Sequence, residues 1–498
     1  MAHTLMDALV IVFSIGGLSC IVIGVLVGIF VGAMPGLGPS IGIALLIPFT
    51  YGLSTSYSLL LLVSLYMAAE YGGSISAILI ATPGTSAAAA TMLDGYPLRQ
   101  KGFPGLALGI SLSASSVGGL IGTLALILFA QPLAEVALRF GPPAYFAIGL
   151  FGLTTVASLS AESPIKGLLV ACFGLTIATI GIDPISGAPR FAFGQMELFE
   201  GVPFLTALIG LFALSEAFGM AERKITKRKV DERVGHIFLS LRQWRDLLPT
   251  MMSGSIIGTI LGIVPGVGGN IACWLAYDRA RKRSKHPESF GTGEPKGIAA
   301  PEAANNATVG GAMIPLLSLG VPGSPTTAVL MGALILHGVR PGPQLFTEAP
   351  DMIYALFIGL AVCVAVMFLI GSYTLSWWAR LMSVSDSVLV VVIFVLSAVG
   401  AFSLRSLMFD VYVTVGFGML GYILKKFRFP MPPIVLAMVL GYLVESNFRT
   451  ALLMSQGSYA IFFEDWLCLL FIALSVGTFV WPLLKQRVAR VLGFNTTK

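Results

Sequence analysis

The sequence is short of charge. Of 498 residues, 11% are Asp, Glu, Lys or Arg and 56% are hydrophobic; an ordinary soluble domain carries about 25% charged residues. So little charge cannot cover a surface facing water, so most of this surface faces lipid. Cysteine is scarce as well. Cys20, Cys172, Cys273, Cys363 and Cys468 all lie in apolar stretches without metal-ligand spacing, so they read as small buried residues and not as a disulfide framework. There are four histidines, His3, His236, His286 and His337, and only His337 adjoins a membrane segment. The G-x-S-x-G match at Gly38-Pro39-Ser40-Ile41-Gly42 therefore lacks both a histidine partner and the strand-to-helix elbow that hydrolysis needs. No G-x-x-x-x-G-K-[ST] occurs, because Gly291-Thr-Gly293-Glu-Pro-Lys296-Gly297 has the wrong spacing. An ATPase is excluded, and the chain reads as a non-enzyme. No Lys or Arg precedes Leu9, and the apolar run from Ala8 to about Met34 outlasts the roughly 7–15 residues of a signal h-region. It is expected to be a retained transmembrane helix.

What is present is a series of apolar runs near the ~20 residues that cross a bilayer, from 9–34 through 57–81 and 298–320 to 462–484. Lipid tolerates only backbone that satisfies its own hydrogen bonds, so these runs should be helices. The fold class expected is an all-α membrane protein, a polytopic bundle of roughly 12 transmembrane helices. Shorter apolar pieces, 39–50, 270–277 and 326–338, each follow a Pro/Gly cluster and are too short to span.

An internal repeat organises the chain. Gly28-Ile-Phe-Val-Gly32-Ala-Met-Pro35-Gly36-Leu-Gly38-Pro39-Ser40 matches Gly258-Thr-Ile-Leu-Gly262-Ile-Val-Pro265-Gly266-Val-Gly268-Gly269-Asn270 in the register GxxxGxxPGxG, 230 residues apart. Downstream, Gly72-Gly73 with Pro83-Gly84-Thr85-Ser86 matches Gly310-Gly311 with Pro322-Gly323-Ser324-Pro325 at an offset of 238 to 239. Two motifs repeated in one order predict duplicated halves. The units expected are a first repeat over 1–103, connecting transmembrane helices over 104–221, a basic cytoplasmic loop over 222–246, a second repeat over 247–345, and C-terminal transmembrane helices over 346–498.

Positive charge sets the orientation. Residues 222–246 hold eight Lys/Arg and 278–296 hold six, so both should be cytoplasmic. Only 249–277 separates them, so that stretch is expected to be a re-entrant hairpin with its tip at Pro265-Gly266. Walking outward, Lys425, Lys426 and Arg428, Lys485 and Arg487, Lys166, and Arg99 with Lys101 all fall inside. The C-terminus is then cytoplasmic and the N-terminus periplasmic, and the two repeats are inverted, with broken helices, as in many secondary transporters.

Proline removes a backbone donor and glycine loosens the chain, so each Pro-Gly pair frees peptide groups at membrane depth. Half-helix N-termini there suit an anion. Small hydroxyl or amide residues follow each break. The substrate-binding set expected is Pro35, Gly36, Gly38 and Ser40; Pro83, Gly84, Thr85 and Ser86; Gly266, Gly268 and Asn270; and Pro322, Gly323, Ser324 and Thr326. Ser40, Asn270, Thr85-Ser86 and Ser324 would donate to carboxylates. A kink needed only for packing is the plainer reading of a lone Pro-Gly, though not of four at related positions. Glu302, Asn305, Asn306 and Glu70 are the ion-binding candidates, as hard oxygen ligands for Na+ or, for the carboxylates, carriers of H+. A polar first helical turn is the alternative for Glu302, and a loop position for Asp94. The pairs Gly28/Gly32 and Gly258/Gly262 need no role beyond close helix packing.

The stretches Gly32-Ala-Met-Pro-Gly-Leu-Gly-Pro39, Glu70-Tyr-Gly-Gly-Ser-Ile-Ser-Ala-Ile-Leu79, Pro301-Glu-Ala-Ala-Asn-Asn-Ala307 and Leu319-Gly-Val-Pro-Gly-Ser324 resemble the large membrane subunit of tripartite tricarboxylate transporters (TctA type). The resemblance extends over nearly the full length. It implies a permease of the bacterial inner membrane that imports citrate or another di- or tricarboxylate. It also implies two partners, a small four-helix membrane subunit and a periplasmic solute-binding protein. The drive would be a gradient of Na+ or H+, with no ATP and no cofactor. The family also includes carriers of other carboxylates, so the particular substrate does not carry over. From other classes, a passive pore would pass organic anions without a gradient, and a scaffold would have no use for interrupted helices.

Overall fold

The computed structural model describes residues 2–159, 164–183, 185–222, 238–381 and 385–491. The first apolar run is not the single helix expected over 9–34. Ser14 divides it into α1 (Ala2–Phe13) and α2 (Ile15–Ala33). Its hydroxyl donates to Ile11 O at 2.8 Å and accepts from Gly17 N at 2.9 Å, closing one helix and capping the next. Hydropathy could not show this, because serine hides easily in an apolar run.

After α2 the chain turns through Pro35-Gly36-Leu37, returns as α3 (Gly38–Leu46) and a short 3-10 turn, and enters α4 (Thr55–Ile80). Helices α2 and α4 run parallel and very close. A Cβ on Gly24, Gly28 or Gly32 would stand 2.4, 2.5 or 2.1 Å from the carbonyl oxygens of Leu61, Leu65 and Ala69. Only a glycine stripe permits that approach. Then come α5 (Ala89–Gln100), α6 (Pro104–Ala137), α7 (Pro142–Leu159) and α8 (Pro164–Ala178). A two-stranded hairpin, β1 (Gly181–Ile182) with β2 (Pro189–Arg190), precedes a helix built of α9 (Phe204–Leu208), a π-helical turn (Ile209–Leu214) and α10 (Ser215–Glu222).

Most of the basic segment expected over 222–246 lies outside the described residues. The chain continues with α11 (Leu241–Ile263), α12 (Gly268–Arg283), α13 (Pro295–Leu319) and α14 (Pro325–Leu336). The 249–277 stretch folds back on itself, since Arg279 Nε near the end of α12 donates to Ser253 Oγ on α11 at 3.0 Å. Here too the outer helices run parallel: Gly254, Gly258 and Gly262 meet the carbonyls of Ala300, Ala304 and Thr308 at 2.4, 2.1 and 2.9 Å from a built Cβ. The remainder is α15 (Leu345–Glu348), α16 (Pro350–Leu381), α17 (Asp386–Arg405), α18 (Met408–Lys426), α19 (Pro432–Met454), α20 (Ile461–Glu464) and α21 (Trp466–Val491).

The direction of α4 relative to α13 follows from α6. Ser74 on α4 meets Ser111 on α6 at 2.5 Å, whereas Gly119 further along α6 sits on Met67, earlier on α4. Those two helices are antiparallel. Gly118 and Gly122 of α6 pack on Ala303 and Ala307 of α13 in the same order, so this pair is parallel. Hence α4 and α13 run opposite ways. Among the described residues nine helices are long and apolar enough to cross a membrane, and the only sheet is the small hairpin. The chain is an all-α, multi-pass membrane protein.

Candidate functional site

Counterpart breaks share one backbone solution. Gly36 and Gly38 take φ of 97° and 58°, and Gly266 and Gly268 take 81° and 56°. These are left-handed values that glycine alone reaches without steric cost. Helices α4 and α13 also end alike, on Ala81 (φ 53°) and Gly320 (φ 69°). Past those ends, Gly84 crosses so close that a Cβ would stand 1.8 Å from Gly32 O, and Gly323 would stand 2.8 Å from Gly262 O. In the second half the two breaks are hydrogen-bonded to each other, Gly323 O accepting from Gly266 N (3.0 Å), whereas in the first half Gly84 N donates back to Gly73 O on α4 (3.1 Å).

All four breaks meet around one cavity of about 560 Å³, within the few hundred to a thousand Å³ of small-molecule sites. Gly36, Gly38 and Ser40 line it from the first break, and Pro83, Gly84, Thr85 and Ser86 from the second. Gly266, Gly268 and Asn270 line it from the third, and Ser324 and Thr326 from the fourth. Pro35, Pro322 and Gly323 shape the turns behind the wall and do not line it. The halves are joined across the cavity. Ser40 Oγ lies 2.9 Å from Thr326 Oγ1, and Ser86 Oγ donates to Asn270 Oδ1 at 2.7 Å. The first turns of α3 and α12, Gly38–Ser40 and Gly268–Asn270, face the cavity, and no side chain caps either helix. Uncapped N–H groups with the positive end of the helix dipole are an anion receptor. Helix α14 is already capped, because Ser324 Oγ accepts from Thr327 N (3.2 Å) and meets Tyr66 OH (3.1 Å). Ser324 Oγ is thus also engaged within the protein.

Among the described residues no Lys, Arg or His lines the cavity, and the one carboxylate there is Glu70. Tyr66, one helical turn earlier on α4, shares that face, a neighbour that i,i+4 spacing could have revealed. Phe212, from the π-helical turn, and Pro432 also line the wall, and no sequence signal points to either.

Asn305, Asn306 and Glu302 are fully buried on α13, behind the wall and not on it. Asn305 Nδ2 donates to Glu70 O at 3.2 Å, while Asn305 Oδ1 and Asn306 Oδ1 have no partner. Glu302 sits in a nest of hydroxyls. Thr91 donates to one oxygen at 2.5 Å and Ser115 to the other at 3.0 Å. Among the described residues no ion pair joins Glu302 or Glu70, and no three His, Cys, Asp or Glu converge as a metal group. Asp94 is in neither loop nor cavity. It is buried on α5, where Oδ1 accepts from the N–H groups of Gly291, Gly293 and Glu294 at 2.8 Å each and Oδ2 accepts from Tyr277 OH at 2.9 Å. Its role is to pin the loop leading into α13.

Residues 18–436 match the tripartite tricarboxylate transporter TctA family. The chain belongs to this family. The matched span contains all four breaks and the cavity they enclose. A 52.8 kDa protein encoded in the TAR-I ttuC' 3' region of Agrobacterium vitis is 37% identical over 444 residues, covering 89% of this chain and 88% of that protein. A protein from the TAR-II ttuC' 3' region of the same organism is 33% identical over 205 residues, covering 41% of this chain and 85% of its own length. No solved structure matches the chain. The TctA family is one of transport proteins, not of enzymes, and marks the large membrane subunit of a tripartite tricarboxylate transporter.

Proposed function

We propose that the chain is the permease subunit of a cation-coupled, binding-protein-dependent secondary transporter that imports small di- or tricarboxylates of the citrate type across the bacterial inner membrane. The observation that carries this reading is the convergence of four repeat-related breaks on one cavity that offers two uncapped helix N-termini. Neutral donors at Ser40, Thr85, Ser86 and Asn270 complete a receptor for carboxylate groups. The halves, 1–103 and 247–345, act as inverted repeats in a bundle of roughly 12 spans; the opposed directions of α4 and α13 support this. Basic ends support the orientation: α5 ends at Arg99 and α12 at Arg281, Lys282 and Arg283, on the side that the positive-inside rule assigns to the cytoplasm. The N-terminus is then periplasmic and the C-terminus cytoplasmic. The tripartite family supports a periplasmic solute-binding protein and a small four-helix subunit as partners. Na+ or H+ is the coupling ion, held by Glu302, Asn305, Asn306 and Glu70, and the buried, unpartnered Oδ1 atoms of Asn305 and Asn306 support that role.

The test is uptake of radiolabelled citrate by vesicles holding the full complex. Uptake should need both the binding protein and a cation gradient, and it should fall roughly tenfold or more in Ser40→Ala, Asn270→Ala and Glu302→Gln, the scale of one lost hydrogen bond to a charge. Normal uptake by Asn305→Ala, Asn306→Ala and Pro322→Ala would place the site elsewhere.

A further inference from the structure

The basic end of the second hairpin carries charge that its own fold does not use. Helix α12 places Arg279, Lys282 and Arg283 on one face, three and four residues apart. Lys282 is paired with Asp278 at 2.6 Å, and Arg279 spends Nε on Ser253 Oγ at 3.0 Å. Among the described residues Arg283 and Lys296 have no ion-pair partner. The internal repeat does not call for these cations. At its offset of 230, Arg279 and Arg283 stand where the first half has Phe49 and Leu53.

The cations surround a small cavity of about 180 Å³. Arg279, Arg283 and Lys296 line it with the hydroxyl residues Thr250, Ser253 and Ser284, and among the described residues no carboxylate does. Cations from two helices beside neutral hydroxyls make a receptor for a phosphate group. A second cavity, of about 460 Å³, shares Arg279 and Arg283 and is walled by Ile257, Ile260, Leu261 and Leu275. Ile260 and Leu275 are exposed, and so is Trp274 next to Leu275; tryptophan gathers at the level of the lipid headgroups.

A free phosphate would fill the first cavity and leave the second. A phospholipid uses both, with its phosphate among the cations and an acyl chain along the apolar wall. A zwitterionic headgroup would bring its own ammonium beside three cations, so the lipid that fits carries net negative charge. We infer that α11, α12 and the start of α13 hold one anionic phospholipid, which ties the hairpin bearing the third break to α13. Its leaflet, the cytoplasmic one, follows from the orientation proposed above, whereas the site itself does not depend on what is transported.

The experiment is native mass spectrometry of the full chain in detergent. The probes are phosphatidylglycerol, phosphatidylethanolamine and glycerol 3-phosphate, the last a headgroup without chains. The first phosphatidylglycerol should bind roughly tenfold tighter than phosphatidylethanolamine, and excess glycerol 3-phosphate should not displace it. Arg283→Gln and Lys296→Gln should each weaken it roughly fivefold. These residues sit on different helices, so a variant that fails to fold leaves the other to decide. Ile260→Ser alters the apolar wall alone and should weaken both lipids several-fold. Arg281→Gln removes the same charge outside both cavities and should change nothing. Unchanged thermal unfolding without lipid verifies the fold of each variant. Four results overturn the inference. They are equal affinity for the two lipids, displacement by glycerol 3-phosphate, equal losses in Arg281→Gln and Arg283→Gln, and a lipid held by the chain alone but absent once the small membrane subunit is bound. The last would give the groove to that partner.

Discussion

At the scale of single residues, glycine sets the geometry for two separable reasons. Gly84 is required for space and Gly38 for backbone angle, since nothing lies within 4 Å of a Cβ on Gly38 although its φ is 58°. Gly84→Ala forces two backbones apart and should cost about 3 kcal/mol. Gly38→Ala costs only left-handed strain, about 1–2 kcal/mol. Thermal unfolding in detergent should rank them in that order. Asp94→Asn should hurt for a third reason, because the amide keeps one oxygen for the three N–H donors but loses its charge and sets N–H where Oδ2 accepts from Tyr277 OH, a loss of about 1–3 kcal/mol. Faster hydrogen exchange at Gly291, Gly293 and Glu294 is the expected signature, with transport lowered only through the position of α13. The glycines were legible from their repeat register. The partners of Asp94 were not, because they lie some 200 residues away in a loop without hydrophobic pattern.

At the scale of elements, apolar run length predicted most helices and their breaks, because burial in lipid forces the backbone to bond to itself. It missed the division at Ser14, where one hydroxyl caps a helix inside an unbroken apolar run. It also missed the π-helical turn that carries Phe212. The hairpin at 181–190 was equally hidden, and charge holds it. Asp183 pairs with Arg449 at 2.6 Å and with Arg190 at 3.2 Å. The Arg449 hydrogen bond, with the N–H groups of Ser186 and Ile185, holds the Asp183 carboxyl well below its ordinary range. Its contribution is therefore fully present above the unfolded value of about 3.9 and is lost only as pH falls through the depressed one. Hydrogen-exchange protection of Ile182–Arg190 should stay level from neutral pH down to about pH 5. Arg449→Ala should abolish it across that range.

At the scale of the whole molecule, the repeated motifs hold most of the residues that line the cavity. The four breaks stand next to one another in space around that cavity, joined across it by Ser40 with Thr326 and Ser86 with Asn270. The ion candidates were harder to place. The sequence put Glu302 and the two asparagines beside one another in one polar stretch, but α13 distributes them differently. It turns Glu302 toward the hydroxyls of α5 and α6 and Asn305 toward Glu70, a division that a linear pattern cannot express.

Two of the contacts that join the halves, Ser40 with Thr326 and Ser86 with Asn270, cross the cavity itself, and each is a single uncharged pair. Breaking either costs about 1 kcal/mol, so neither by itself holds the cavity closed. On the transport reading proposed above, a mouth fastened by such weak ties opens to whatever the outside supplies, and the direction of travel is then set by the ion gradient and not by the fold.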